Sequence, residues 1–278
     1  MSKLSDAATF LFVPGGKPER FEMAATAGAD AVIIDLEDAV APAEKDAARD
    51  AVAEFLARRS KVVVRINAAE TPWFADDLAM LKDFSPEGIM LPKADGAARL
   101  REVADILAGV AQIPLIETAA GIAALAEIAA VESVTRLAFG TIDFQLNVGI
   151  EGDGEELNAF RSEMVLRSRL AGLAAPVDGV TADVQDDARL GMESDRARRF
   201  GFGAKLCIHP RQVPIVAAAL APKAHEIAAA ERIVAAAEAS ASGVVTVDGR
   251  MVDRPVIELA RRSLSRASYR QDHQGQEV

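Results

Sequence analysis

Eight times along the chain a short, almost wholly apolar run gives way to a stretch with helical spacing, and this alternation limits the fold more than any other feature. The runs are Phe10 to Pro14, Ala31 to Leu36, Val62 to Ile66, Gly88 to Leu91, Ile113 to Ile116, Arg136 to Gly140, Pro176 to Val180 and Ala204 to Ile208. They do not alternate apolar with polar, as expected of parallel strands covered on both faces. Between them, stretches such as Ala43 to Arg58 and Ala97 to Val110 carry Ala, Leu and Val at helical spacing with Asp, Glu and Arg opposite. Strand then helix, eight times, predicts an α/β protein built as a TIM (β/α)8 barrel. A doubly wound open sheet shares the alternation, but the count of eight and the missing Gly-x-Gly-x-x-Gly turn after the first run weigh against it. The 278 residues suit a barrel of roughly 250 residues with an extension.

The extension begins after His209-Pro210. Val213 to Ala241 reads as Ala-rich helix broken at Pro222, then Val244 to Val247 as a short strand, Asp248-Gly249 as a turn, and Pro255 to about Ala267 as a last helix. The expected domains are therefore a barrel over 1–221 and a C-terminal helical extension over 222–278. A net charge of −11 leaves no electrostatic footprint for nucleic acid or an anionic membrane, so neither is an expected partner. The longest apolar runs fall short of the roughly 20 residues of a bilayer span. Met1 to Asp6 lacks a signal-like apolar run and Cys207 has no disulfide partner, so a cytoplasmic location is expected.

In a barrel the chemistry sits at the carboxyl ends of the strands, and here those ends are polar. They read Pro14-Gly15-Gly16-Lys17, Asp35-Leu36-Glu37-Asp38, Arg65-Ile66-Asn67, Pro92-Lys93-Ala94-Asp95, Glu117-Thr118, Thr141-Ile142-Asp143, Asp178 with Asp183, and His209. So many carboxylates at one mouth raise each other's pKa unless a cation joins them. With no His and Cys grouping, the oxygen donors favour Mg²⁺ over zinc, and Glu117 and Asp143, on adjacent strand ends, could share one ion. Helix capping is the plainer reading of the same positions. Arg65 needs a paired anion, either Asp35 or Glu37 next door or a substrate carboxylate. Gly15, Gly16, Lys17 and Arg20, ahead of a helix, suit a phosphate, although Pro-Gly-Gly is also an ordinary turn. Cys207 reads as a small core residue and not a nucleophile, and His209 as a residue that closes its strand and packs over a ligand.

Taken in order, Leu11-Phe12-Val13-Pro14-Gly15, Asp35-Leu36-Glu37-Asp38-Ala39-Val40, Val64-Arg65-Ile66-Asn67, Leu91-Pro92-Lys93, Ile116-Glu117-Thr118, Phe139-Gly140-Thr141-Ile142-Asp143-Phe144 and Ile208-His209-Pro210 resemble the citrate lyase β-subunit family. That family lies within the HpcH/HpaI-type aldolases, with malyl-CoA and citramalyl-CoA lyases. The resemblance implies a Mg²⁺-dependent C–C lyase, a homotrimer or hexamer, that splits a 3-hydroxyacyl-CoA into acetyl-CoA or a related thioester and a small 2-oxo acid. It implies Glu117 and Asp143 as metal ligands, Arg65 as the carboxylate-binding arginine, and Glu37, Asp38 and Glu117 beside the substrate. Gly15, Gly16, Lys17, Arg20, Ile208 and His209 fall at the CoA. Asp253 matches an aspartate that CoA-thioester lyases place over a neighbouring subunit's site as general acid/base.

Alternatives within the resemblance are a citrate lyase β-subunit acting on a carrier-bound citryl thioester and a non-catalytic CoA-binding homologue. The tail with Asp253 favours the free-standing CoA-thioester enzyme. Met23 stands where many relatives have a lysine near the CoA phosphates, and Asn147 where an aspartate is common.

Overall fold

The computed structural model of the protein describes residues 3–59, 61–240 and 244–274. Eight parallel strands close into a barrel in sequence order: β1 (Thr9–Pro14), β2 (Ala31–Asp35), β3 (Val63–Arg65), β4 (Gly88–Leu91), β5 (Ala111–Ile116), β6 (Ala138–Phe139), β7 (Val177–Asp178) and β8 (Ala204–Cys207). The helices between them are α1 (Phe21–Ala25), α2 (Lys45–Leu56), α3 (Phe74–Leu81), α4 (Ala97–Ile106), α5 (Ala119–Ala123), α6 (Leu125–Ala129), α7 (Thr141–Val148), α8 (Asn158–Leu170) and α9 (Asp187–Phe200). The expected barrel is thus the observed one. Each apolar run holds a strand because both of its faces are covered: alternate residues such as Phe10, Ile33, Val63, Met90, Ile113, Val177 and Leu206 fill the interior. Their neighbours Val32, Ile34, Val64 and Ile89 are as deeply buried, on the other face of each strand.

The amino-terminal end of the barrel is plugged by Arg136, whose side chain is fully buried. It donates from Nη1 to the carbonyls of Leu4 (2.9 Å) and Ala7 (2.6 Å) and from Nε to that of Ala175 (2.9 Å). The Phe10 ring lies 5.4 Å from the guanidinium. With no carboxylate among the described residues in direct contact, burial pulls the Arg136 pKa down to about 10, against support from Asp6 and Asp30.

The chain divides after Ala217, within α10 (Gln212–Leu220), into two compact units. The second unit contains α11 (Ala224–Glu238), an antiparallel hairpin of β9 (Val245–Val247) and β10 (Arg250–Val252), and α12 (Arg254–Gln274). The hairpin turns through Asp248 (φ 50°) and Gly249 (φ 73°), the left-handed pair that a two-residue connection prefers. Ala-rich α11 packs against α12, and Arg232 Nη2 pairs with Asp248 at 3.0 Å. The last helix runs beyond Ala267 because no helix breaker occurs before Gly275. By length and hydropathy, Gln212–Glu238 could cross a membrane as a single helix, but Ala221 to Lys223 divides it into α10 and α11, of 9 and 15 residues.

Candidate active site

At the carboxyl ends of the strands lies a cleft of about 440 Å³. Phe12, Leu115, Phe139, Val180 and Leu206 give it apolar walls, and Asp35, Asp38, Arg65, Glu117, Thr141 and Asp143 bring polar groups to it. Ile208 also lines it, exposed at the mouth.

Arg65 stands at the centre of the acidic side. Its Nε and Nη2 donate to the two oxygens of Asp35 at 2.6 and 2.7 Å, and Nη1 lies 3.0 Å from Glu37 Oε2 and 3.7 Å from Asp38. Phe12 packs 5.0 Å from the guanidinium. The Asp35 oxygens also accept from Glu37 N (2.9 Å) and Ala39 N (3.1 Å), a local turn that fixes the loop after β2. These acids raise the Arg65 pKa further even though burial works against the charge. The ion pair to the neighbouring strand is therefore present, and it does not use up the guanidinium. Of its five N–H donors two are hydrogen-bonded, both to Asp35, and Nη1 meets Glu37 and Asp38 as ion pairs only, so each Nη keeps at least one N–H without a hydrogen bond.

Glu117, at the end of β5, is 2 % exposed and accepts from the Lys93 backbone N–H at 2.7 Å. Burial, then Glu37, pushes its carboxyl up to about 8, Asp143 adding to the effect. Room for it comes from Gly140: a Cβ there would sit 2.6 Å from both Glu117 Cβ and Oε2. Asp143 lies in the first turn of α7, half-buried, where the helix dipole favours a carboxylate. Capping, the plainer reading, applies to Thr118, which accepts from Gly121 N at 2.9 Å. It does not apply to Asp143, because the α7 cap is Gly140. A buried carboxylate whose charge burial, Glu37 and Asp143 disfavour, with a second carboxylate lining the same cleft, fits a hard divalent cation such as Mg²⁺. Among the described residues no group of three or more His, Cys, Asp or Glu could hold a metal, so water or ligand oxygens must complete any coordination.

The remaining rim residues divide between mouth and interior. Glu37 is buried, with Lys93 Nζ at 2.7 Å from Oε1, whereas Asp38 is exposed. Lys17 and Arg20 are exposed beside buried Gly15, whose close packing on the Asp35 carbonyl (2.7 Å from a Cβ) demands glycine. Only a single 3₁₀ turn and the five-residue α1 come next in the chain, so the expected helix N-terminus adds little field. His209 is exposed at the same mouth as Ile208, and its Nδ1 accepts from Arg211 N at 3.2 Å.

Asp178 departs from the expected rim. It is fully buried, pairs with Arg161 Nε at 3.1 Å and lies 3.8 Å from Lys205 Nζ, because it faces out of the barrel toward the helices. Asp183 is exposed and folds onto Gln185 N at 2.8 Å. Cys207 is buried, as expected of a core residue. Asn147 accepts from Ala119 N at 2.9 Å, a contact that needs only an oxygen, so asparagine serves in place of aspartate. Asp253, in the second unit, precedes α12 and accepts a long 3.4 Å bond from Val256 N.

Two supports are not legible in the sequence as such. Lys45, buried at the start of α2, donates to the carbonyls of Leu36 (2.7 Å) and Glu37 (2.7 Å) and to Asn67 Oδ1 (2.6 Å), bracing the acidic loop from below. Gly140 is visible there only as a glycine ending a strand, a sign of close backbone approach.

The chain is 38% identical to a citrate lyase subunit beta-like protein of Mycobacterium tuberculosis over 93% of this chain and 94% of that one. It is 36% identical to a (3S)-malyl-CoA thioesterase of Cereibacter sphaeroides, covering 92% and 93%. The crystal structure of Mycobacterium tuberculosis CitE with magnesium, acetoacetate and coenzyme A superposes with a TM-score of 0.86, at 36% identity, over 95% of this chain and 99% of that chain. The family described as HpcH/HpaI aldolase/citrate lyase matches residues 8–210, from the start of β1 past the end of β8, and to that family this chain belongs.

Proposed function

We propose that the protein is a Mg²⁺-dependent C–C lyase that cleaves, or in reverse forms, a 3-hydroxyacyl-CoA such as malyl-CoA or citramalyl-CoA, giving acetyl-CoA and a small 2-oxo acid. One observation carries the reading: Glu117, Asp143 and an arginine with two uncommitted N–H donors line one cleft. Family membership supports it, as does a structural relative that holds magnesium, acetoacetate and coenzyme A.

In this reading Glu117 and Asp143 hold the ion, which when bound supplies Lewis acidity toward the substrate oxygens. Arg65 orients the substrate carboxylate through its free Nη donors, kept in place by Asp35 and Glu37, with Asp38 at the border. The apolar walls exclude water from the thioester enolate. Lys17, Arg20 and the Gly15-Gly16 turn meet CoA phosphates, and Ile208 and His209 pack on the cofactor. Asp253 moves the proton at the thioester α-carbon, supplied to the site of a neighbouring subunit in a homotrimer or hexamer. The single buried thiol accords with a cytoplasmic protein.

The test is Mg²⁺-dependent condensation of acetyl-CoA with glyoxylate or pyruvate, followed by cleavage of the product. No turnover in either direction with any 2-oxo acid would leave the CoA-binding homologue as the better reading, and activity only with a carrier-bound thioester the citryl lyase. Mixing Asp253→Asn with Arg65→Lys protomers tests the shared site. Activity should return in hetero-oligomers, and its absence despite subunit exchange rules out donation across subunits.

A further inference from the structure

Among the described residues two that are not glycine adopt a left-handed backbone, Lys93 (φ 48°) and Asp248. Asp248 lies in a hairpin turn that uses this conformation. Lys93 has no such reason. It directly follows β4 and Pro92, and its conformation aims two groups of one residue at two parts of the cleft. The backbone N–H goes to Glu117 Oε1 at 2.7 Å, and the ammonium goes to Glu37 Oε1 at 2.7 Å. Glu37 Oε2 in turn stands 3.0 Å from Arg65 Nη1.

Glu37 is thus divided between two cations. Were Lys93 Nζ removed, Arg65 would be the one cation left in an ion pair with the Glu37 carboxylate among the described residues, and a carboxylate prefers to take both oxygens onto one guanidinium edge. The Nε–Nη2 edge of Arg65 belongs to Asp35, so the Nη1–Nη2 end, which Glu37 and Asp38 approach at Nη1 alone, is the edge left for a second bidentate carboxylate. Resting on the functional reading above, we infer that Lys93 is a positioning residue that holds Glu37 off the open edge of Arg65, so that this edge stays available to a 2-oxo acid carboxylate. Its left-handed backbone separately fixes Glu117.

The two roles separate by substitution. Lys93→Gly keeps the backbone conformation, natural to glycine, and the N–H to Glu117, but loses the ammonium. Lys93→Arg keeps a cation. In calorimetric titrations Lys93→Gly should bind Mg²⁺ within about twofold of the unmodified protein, while pyruvate at saturating Mg²⁺ binds about tenfold more weakly, and Lys93→Arg should recover most of that loss. Pyruvate affinity unchanged in Lys93→Gly, or no recovery in Lys93→Arg, would overturn the inference. A second readout needs no ligand. The Arg65 Nε–H resonance should shift in Lys93→Gly and return in Lys93→Arg, and one unmoved in all three proteins also overturns it. If the unmodified protein binds no pyruvate, the functional reading fails, and the resonance still decides the placement of Glu37.

Discussion

The two ends of the barrel each set an arginine against a phenylalanine of β1, fully buried Arg136 over Phe10 and half-buried Arg65 over Phe12, yet their surroundings differ in kind. Arg136 is satisfied by backbone carbonyls alone, which accept hydrogen bonds but carry no charge to trade. Arg65 is satisfied by carboxylates that are themselves tied to loops and to Lys93. Carbonyl ligation closes a site, because four of the five Arg136 donors are spent on fixed backbone atoms. Carboxylate ligation leaves donors open and the local charge adjustable, and that is the end where a ligand can enter.

The comparison breaks first on truncation. Arg136→Met should cost about 3–5 kcal/mol of stability by removing the donor shared by the Leu4, Ala7 and Ala175 carbonyls, visible as a large fall in Tm, with activity per folded molecule retained. Glu117→Ala or Asp143→Ala should do the opposite, cutting Mg²⁺-dependent turnover by on the order of 10³ or more with little change in Tm. If either carboxylate variant unfolds, or Arg136→Met is inactive though folded, the division into a structural and a chemical end is wrong.

Gly140→Ala is a finer probe. The added methyl must displace Glu117, so Mg²⁺ affinity should fall about tenfold or more by titration, with a stability cost of about 1–3 kcal/mol. Unchanged affinity would mean that Glu117 is not a ligand.

Protons sharpen the contrast further. Without a cation the Glu117 carboxyl sits at about 8, above its ordinary value, so the folded protein holds that proton more tightly than the unfolded chain does. Its contribution to stability is present below the unfolded pKa and lost as pH rises toward 8. Mg²⁺ must displace the same proton, so its affinity should increase from pH 6 to about pH 9, and with it the thermal stabilisation that Mg²⁺ gives. A flat profile would contradict the burial of Glu117.

The smallest effect concerns Cys207, whose thiol burial pushes up to about 12. At pH 8 it should react with thiol reagents only as fast as the barrel opens, and rapid labelling of native protein would contradict its place in the core.

Much of this is legible in the sequence because parallel strands buried on both faces leave unbroken apolar runs, and because a barrel delivers the residues after each run to one mouth. That rule alone picks out Glu117, Asp143 and Arg65. It fails at Asp178, since a residue still within a strand can face outward, and the two-residue β7 has no alternation from which to assign its face. It is also silent on Lys45, and it places Lys93 at the mouth without its partners. Their partners are carbonyls and carboxylates 8 to 56 residues away, and no local pattern encodes such contacts. In the second unit, helix, turn and hairpin are readable, but what Asp253 serves is a matter of assembly.

Gly140 bears on how such a site can change over time. Because the backbone there touches a proposed ion-binding carboxylate, the position has no tolerance for size, and a lineage seeking a new substrate cannot begin at that strand end. Variation is freer at exposed positions such as Met23 and Leu146, whose side chains project into solvent. A chain so built can exchange substrates while its centre stands still.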